Sequence, residues 1–181
     1  MIRFVVVFLA LATVAAQAVT VGAGLLWIAA RRTRLAAALR GEVAPAALGL
    51  AWAVATLATA GSLFFSEVAG FTPCRLCWYQ RAAMYPLVAL LGVAAWRGGL
   101  GVRWVAWPFA AAGGAISAYH YGLEWFPSLE GGACDPRAPC TVRWVWELGY
   151  VSIPMMALTA FALIAVLLAV ARRPDASGDA R

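Results

Sequence analysis

The chain has 181 residues, of which 64% are hydrophobic and only 12% are charged, and its formal net charge is +6. A soluble globular domain carries about one quarter charged residues, so this composition excludes an ordinary water-soluble fold and favours a membrane protein. Lysine is absent, and the 14 basic residues are arginines that gather between hydrophobic segments. This distribution is typical of membrane topology rather than of nucleic-acid binding, and we expect no nucleic-acid partner.

Five apolar segments are long enough to cross a bilayer as helices, which takes about 20 residues. We place them near residues 4–29, 45–65, 78–96, 104–122 and 150–171. The first segment is too long for the core of a signal peptide, and its main arginine cluster follows it rather than precedes it. We therefore interpret it as a retained helix, and the predicted fold class is an all-α polytopic membrane protein.

The arginines predict how these segments are oriented. Residues 30–44, 97–103 and 172–181 would all lie in the cytoplasm under the positive-inside rule. The N-terminus and the loops 66–77 and 123–149 would then lie outside, where disulfides persist. The arginines behind this assignment are Arg31, Arg32, Arg34, Arg40, Arg97, Arg103, Arg172 and Arg173.

The first cysteine pair lies in the stretch FTPCRLCWYQR, where the third helix is expected to begin. Thr72 is the predicted N-cap and Pro73 the first helical residue, so Cys74 and Cys77 would fall in the opening turn. A helix N-terminus stabilises a thiolate, and Arg81 adds a positive charge one turn beyond Cys77. The pattern predicts a reactive pair rather than an inert one.

The second pair, Cys134 and Cys140, flanks two prolines in CDPRAPC, which predicts an exposed and mobile loop. Two pairs on one side of a membrane suggest a relay by thiol–disulfide exchange. The sequence has no nicotinamide, flavin or haem motif, so the remaining terminal acceptor is a lipid-soluble quinone. His120, near the outer end of the fourth segment, is either a residue of that acceptor's site or an ordinary interfacial histidine.

Two other interpretations of the cysteines stay open from the residues alone. A Cys-x-x-C pair is half of a zinc site, and the second pair could supply the rest. Both pairs could also be static structural disulfides. We expect no metal, because the loops are placed outside the cytosol and no second histidine exists in the chain.

The motif PCRLCWYQR resembles that of the DsbB family of disulfide bond formation proteins, in which an arginine follows Cys-x-x-C. The stretch YHYGLEWFP, followed by a cysteine pair and a final span, is similar to the same family, and the closely spaced second pair resembles its BdbC-like branch. The resemblance implies a four-helix membrane domain over residues 45–171. Residues 1–44 would add an extra transmembrane helix and an arginine-rich loop, and residues 172–181 a disordered cytoplasmic tail.

The resemblance also implies a function. A quinone-dependent thiol oxidase of the bacterial cytoplasmic membrane would pass disulfides to an extracytoplasmic DsbA-like thioredoxin-fold partner. Ubiquinone or menaquinone would be the cofactor, with an indirect link to the respiratory chain. The alternative enzyme is a quinone-linked oxidoreductase of the vitamin K epoxide reductase type, but there the Cys-x-x-C follows the loop pair.

Residue roles follow from the resemblance by position. Cys77 would be the thiolate that meets the quinone, and Cys74 its disulfide partner. Arg81 would support both the thiolate and the quinone, and His120 would belong to the quinone site. The DsbA-like protein would attack Cys134, whose mate Cys140 would exchange with Cys74. Gln80 stands where an acid is often found in the family.

Overall fold

The computed structural model describes residues 1–29, 42–97, 99, 101–132 and 134–171, without the side chains of 26–29. This part of the chain contains five α-helices and no β-strand, which confirms the all-α prediction. The α2 helix runs on into a π-helical turn at Phe64–Val68. The helices are α1 (Ile2–Ala29), α2 (Ala47–Leu63), α3 (Arg75–Arg97), α4 (Val102–Trp125) and α5 (Ile153–Val170).

Part of the orientation argument concerns residues that lie outside the described ranges, namely Arg31, Arg32, Arg34, Arg40, Arg172, Arg173 and the tail 172–181. Two of the arginines are described. Arg97 ends α3 and Arg103 lies in the first turn of α4, at the opposite end of these helices from the cysteines. These two arginines and the cysteines therefore lie at opposite ends of the bundle.

Three described segments are long and apolar enough to cross a membrane by composition: Ile2–Leu25, Ala47–Val68 and Ile153–Val170. The α3 and α4 helices are also long enough to cross a membrane, with 23 and 24 residues, or roughly 35 Å at 1.5 Å per residue. Both are less hydropathic because they carry polar side chains such as Arg81 and His120. Both side chains lie near the cysteines. In each of the two helices, the polar part is therefore the part next to the cysteines.

The helices α2, α3, α4 and α5 form a closed four-helix bundle in which each helix packs against two others. Its centre is filled by fully buried apolar side chains: Leu87, Leu91, Phe161, Ile164 and Leu168. Helix α1 lies outside this ring, mainly against α5. The arrangement confirms the predicted four-helix bundle with one extra N-terminal helix.

A polar side chain fixes the position of α1 on the bundle. Tyr150 donates a hydrogen bond to Gln17 Oε1 at 2.8 Å, and Gln17 Nε2 donates to Thr159 Oγ1 at 3.1 Å. A carboxamide within an apolar helix needs such partners, because the surrounding hydrocarbon offers none. Gln17 therefore sets the register of α1 along α5.

The contact of α4 with Phe161 of α5 depends on a glycine. The ring of Phe161 occupies the space that a side chain on Gly113 would fill. Phe161 is only 1% exposed and belongs to the main core. A glycine at position 113 thus lets the two helices pack around this ring.

Gly113→Ala should lower the free energy of unfolding by about 1–3 kcal/mol, because the new methyl group overlaps the Phe161 ring and overpacks the core. Gly114→Ala is the matched control, since its Cβ would stand 3.7 Å from Phe161 Cβ, an ordinary contact. Denaturation of both variants in detergent, followed by circular dichroism, measures the difference. Equal stability of the two variants would contradict this account of the α4–α5 contact.

Candidate functional site

The Cys-x-x-C pair lies at the very start of α3. The helix begins at Arg75, and Cys74 occupies the position before it, where its Sγ accepts the backbone N–H of Cys77 at 3.3 Å. This is the bond that an N-cap side chain makes. The predicted cap at Thr72 is therefore wrong by two residues, because the sulfur of Cys74 performs that function. The two sulfur atoms lie 2.9 Å apart as free thiols.

Arg81 is buried one turn after Cys77, and its guanidinium connects α3 to the end of α2. Nε donates to Ser62 Oγ at 2.9 Å, and Nη2 donates to the Ser62 carbonyl at 2.7 Å and to Ser66 Oγ at 2.9 Å. The Trp78 ring lies 5.1 Å from Cζ, a cation–π distance. Nη1 has no hydrogen bond to the described residues, so one side of the guanidinium is available to a ligand.

His120 lies between the two cysteine pairs. Its Nε2 is 3.1 Å from the Cys140 carbonyl oxygen and 3.6 Å from Cys74 Sγ, and its Nδ1 is 3.4 Å from Gln80 Nε2. Because a carbonyl oxygen only accepts, the proton of the neutral ring is on Nε2. The Gln80 amide then donates to Nδ1. The single N–H on Nε2 thus lies between the Cys140 carbonyl oxygen and Cys74 Sγ, and a thiolate at Cys74 would share it.

The loop pair, Cys134 and Cys140, forms a disulfide, with Cα atoms 5.9 Å apart. Loop residues 135–137 are exposed, as expected, but the cysteines themselves are only 7% and 1% exposed. The predicted exposure of the loop is therefore found at residues 135–137 but not at the cysteines, because both cysteines pack with Cys74, Leu76 and Leu123 in one apolar cluster. This cluster brings all four cysteines of the chain together.

Cys77 stands between two cavities. The larger has a volume of about 180 Å³ and is mainly apolar, with Arg81 and Gln80 in its wall. A single water needs only about 10–15 Å³ in the same measure, so this space is large enough for an organic ligand. The smaller cavity, about 20 Å³, is lined by Cys74, His120 and Glu124. His120 faces the smaller cavity and not the larger one, so its predicted place in a quinone site stays a prediction.

The reduced pair is electrostatically asymmetric. Cys77 donates a hydrogen bond to Cys74, and this bond lowers the pKa of the Cys74 thiol far below its ordinary value. Burial of Cys74 opposes this shift, while His120 adds to it. In the reduced pair the thiolate is therefore favoured on Cys74, which packs with the loop disulfide. The role of Cys77 as the thiolate that meets the quinone stays a prediction.

Four site residues were not predicted as functional from the sequence: Ser62, Ser66, Gln80 and Glu124. Gln80 and Glu124 are almost fully buried, and Ser152 donates to Glu124 Oε2 at 2.5 Å. For Gln80 and Glu124, the sequence did carry one indication of function: both are polar residues within or beside apolar helical segments. For the two serines, only their later contact with Arg81 distinguishes them from ordinary helix residues.

The Cys74 and Cys77 sulfurs and a His120 ring nitrogen lie within 4.8 Å of one another. Thiolate and imidazole are ligands that zinc takes. The expectation that the protein holds no metal therefore stays a prediction.

Cys77→Ala should raise the pKa of Cys74, because the hydrogen bond that stabilises its thiolate is lost. A bond to a charged group contributes about 1.5–3 kcal/mol, or roughly one to two pH units. Since the thiolate is the form that is alkylated, the midpoint of the pH dependence of Cys74 alkylation should move to higher pH by that amount. Cys77→Ser is the matched control, because its hydroxyl still donates. The measurement is the pH dependence of Cys74 alkylation in both variants, with the loop disulfide intact. If the curves of Cys77→Ala and Cys77→Ser superimpose, the hydrogen bond from Cys77 does not stabilise the Cys74 thiolate.

Residues 43–171 match the family described as "Disulfide bond formation protein DsbB". The chain is 42% identical over 118 residues to "Disulfide bond formation protein C" of Bacillus subtilis (strain 168), covering 65% of this chain and 86% of the relative. It is 45% identical over 120 residues to the "Probable disulfide formation protein" of Oceanobacillus iheyensis, covering 65% and 83%. No solved structure matches the chain. The resemblance to the BdbC-like branch is thereby confirmed, and the chain belongs to the DsbB family of disulfide bond formation proteins.

Proposed function

We propose that the protein is a quinone-dependent thiol oxidase that generates disulfides and passes them to an extracytoplasmic DsbA-like thioredoxin-fold protein. The observation that carries the proposal is the position of Cys77 between two cavities. One cavity is apolar and contains Arg81; the other contains Cys74 and His120, next to the loop disulfide. The Cys74–Cys77 pair would thus face an electron acceptor on one side and, on the other, the loop disulfide with which it exchanges.

The first exchange takes place at the loop. A thiolate of the reduced partner attacks Cys134, the more exposed of the two loop cysteines, and Cys140 leaves as a thiolate. The second thiol of the partner then releases Cys134, so the partner gains a disulfide and the loop pair is reduced. Because both loop cysteines are buried, the exposed residues 135–137 would move aside during this attack.

The second exchange returns the loop to its oxidised state. The Cys140 thiolate attacks Cys74 of an oxidised Cys74–Cys77 pair, Cys77 leaves as a thiolate, and Cys134 then displaces Cys74. His120 supports this step, since its Nε2 lies within reach of both Cys74 Sγ and the Cys140 carbonyl. The product is an intact loop disulfide and a reduced Cys74–Cys77 pair.

The residues around the larger cavity fit a quinone. Its wall is apolar apart from a few polar groups, among them Cys77 and Arg81. Thr59 Oγ1 in the same wall is the buried side-chain polar atom without a hydrogen-bond partner in the described part of the chain. A quinone held there would supply the acceptor for the two electrons and two protons that the dithiol loses when it becomes the Cys74–Cys77 disulfide, and Cys77 is the member of the pair that lies in this wall. Arg81 would stabilise negative charge on the bound ring, as preorganised charges do generally.

The test mixes the purified protein with a reduced DsbA-like protein and ubiquinone or menaquinone and follows quinone reduction. Cys134→Ser should abolish oxidation of the partner while a chemically reduced Cys74–Cys77 pair is still reoxidised by quinone. Cys77→Ser should abolish quinone reduction itself. If both variants lose quinone-driven reoxidation of the first pair equally, the proposed order of the relay is wrong.

Arg81→Met should weaken quinone binding by about tenfold or more, because a charged hydrogen-bond donor contributes about 1.5–3 kcal/mol. Arg81→Lys should recover part of this loss, since an ammonium lacks the planar fork of donors. Arg75→Met is the matched control: it removes the same charge from an exposed position of the same helix. Quinone titrations of the three variants decide the point. Equal affinities would mean that Arg81 only joins α2 to α3.

The same proposal includes an orientation: the protein lies in the bacterial cytoplasmic membrane with its N-terminus and both cysteine loops outside and its C-terminus in the cytoplasm. The position of Arg97 and Arg103 at the end opposite the cysteines supports it. A membrane-impermeant thiol reagent should label the cysteines in intact, reduced cells. If the cysteines are labelled only after lysis, the orientation is the reverse of the proposed one.

A further inference from the structure

Helix α1 lies outside the residues that match the family, which begin at residue 43, and yet it forms part of the larger cavity. Four of its residues line that space, on one face of the helix: Leu9, Ala12, Thr13 and Ala16. The cavity that reaches Cys77 is therefore completed by a helix that the family match does not include.

The way α1 packs leaves an opening beside α2. Helix α1 has its main contacts with α5 and few with α2. One contact with α2 is at Gly61, where an added Cβ would stand 3.1 Å from Leu9 Cδ1. Beyond this contact the two helices present Ala12 and Ala16 on one side and Leu57 on the other. Leu57 is 46% exposed although it lines the cavity, so the cavity is open beside it.

The polar groups of the cavity indicate what enters through this opening. Arg81 has one guanidinium nitrogen without a bond to the described residues, and Thr59 Oγ1 has no hydrogen-bond partner among them. A ligand with oxygen atoms on its buried head would satisfy both groups. A phospholipid acyl chain would enter with its hydrocarbon end and would leave both unsatisfied. A quinone has ring carbonyls at one end and an isoprenoid tail at the other.

We propose that α1 and α2 are the two walls of a lateral entrance, and that α1 binds the isoprenoid tail of the quinone through its Leu9–Ala16 face. This inference rests on the proposed function. The small side chains of Ala12 and Ala16 set the width of the entrance, and the hydrogen bonds of Gln17 to Tyr150 and Thr159 hold this face toward the cavity. Helix α1 is thereby a specificity-determining element for quinones that carry a tail.

The first experiment uses the wild-type protein and a ubiquinone analogue with a photoreactive diazirine on its tail. Mass spectrometry of the photolysed protein should find the label on α1 between Leu9 and Ala16 and on the facing part of α2, and excess ubiquinone should suppress it. Label that excess ubiquinone does not suppress would mean that the tail contacts α1 without a saturable site, which would overturn the inference. Label confined to α4 or to the outer face of α1 would overturn it as well.

The second experiment compares two probes, ubiquinone and duroquinone, a fully methylated benzoquinone without a tail. Ala12→Phe should raise the dissociation constant of ubiquinone by about tenfold, because it displaces roughly two methylene groups of buried tail. The dissociation constant of duroquinone should stay unchanged. Ala15→Phe is the matched control, since Ala15 is an exposed residue of the same helix and does not line the cavity. It should alter neither constant.

The outcomes separate this inference from the proposed function. If the wild-type protein neither binds nor is oxidised by either quinone, the proposed function fails. If the wild-type protein reacts with both quinones, but Ala12→Phe changes the two dissociation constants equally or not at all, the function stands and the role of α1 is refuted. A variant that fails to fold is recognised by its circular dichroism spectrum, independently of binding, and the photolabelling of the wild-type protein then decides.

Discussion

A guanidinium buried at the end of a membrane bundle must have its N–H groups hydrogen-bonded, because the surroundings contain too little water to solvate its charge. Arg81 meets most of this constraint with three bonds from Nε and Nη2 to Ser62 and Ser66, at the end of α2 and in the π-helical turn that follows it, where the helix dipole also favours a cation. These bonds hold the start of α3 against α2. The positions of Cys77 and of the cavity beside it follow from this one attachment.

The other half of the site depends on His120. Its ring donates to the carbonyl of Cys140 and accepts from Gln80, so its tautomer and orientation are both set by neighbours. The loop disulfide is held against the helices by this bond and by the apolar cluster around Leu123. Burial of both pairs in one cluster favours exchange between them over reaction with small thiols from solvent, because access limits thiol–disulfide exchange.

The core of the bundle is complete without α1. Its fully buried side chains belong to the four helices that match the family, and α1 adds only Ala16 at the edge. An extra helix of this kind is free to vary without loss of the core. In this chain it has instead taken a position along the cavity, where small residues and one anchored glutamine face the bundle.

Hydropathy and spacing by themselves determined five helices to within a few residues, and the spacing of Cys77 and Arg81 placed both on one side of α3. These features are local, because the period of a helix and the length of a span are properties of consecutive residues. The contacts of Arg81 with Ser62 and of His120 with Cys74 join residues 19 and 46 positions apart. The tertiary structure alone decided these contacts, the burial of the loop disulfide and the place of α1 beside the cavity. The physical reason is that each depends on which faces of separate helices meet, and no periodicity within one helix specifies its neighbour.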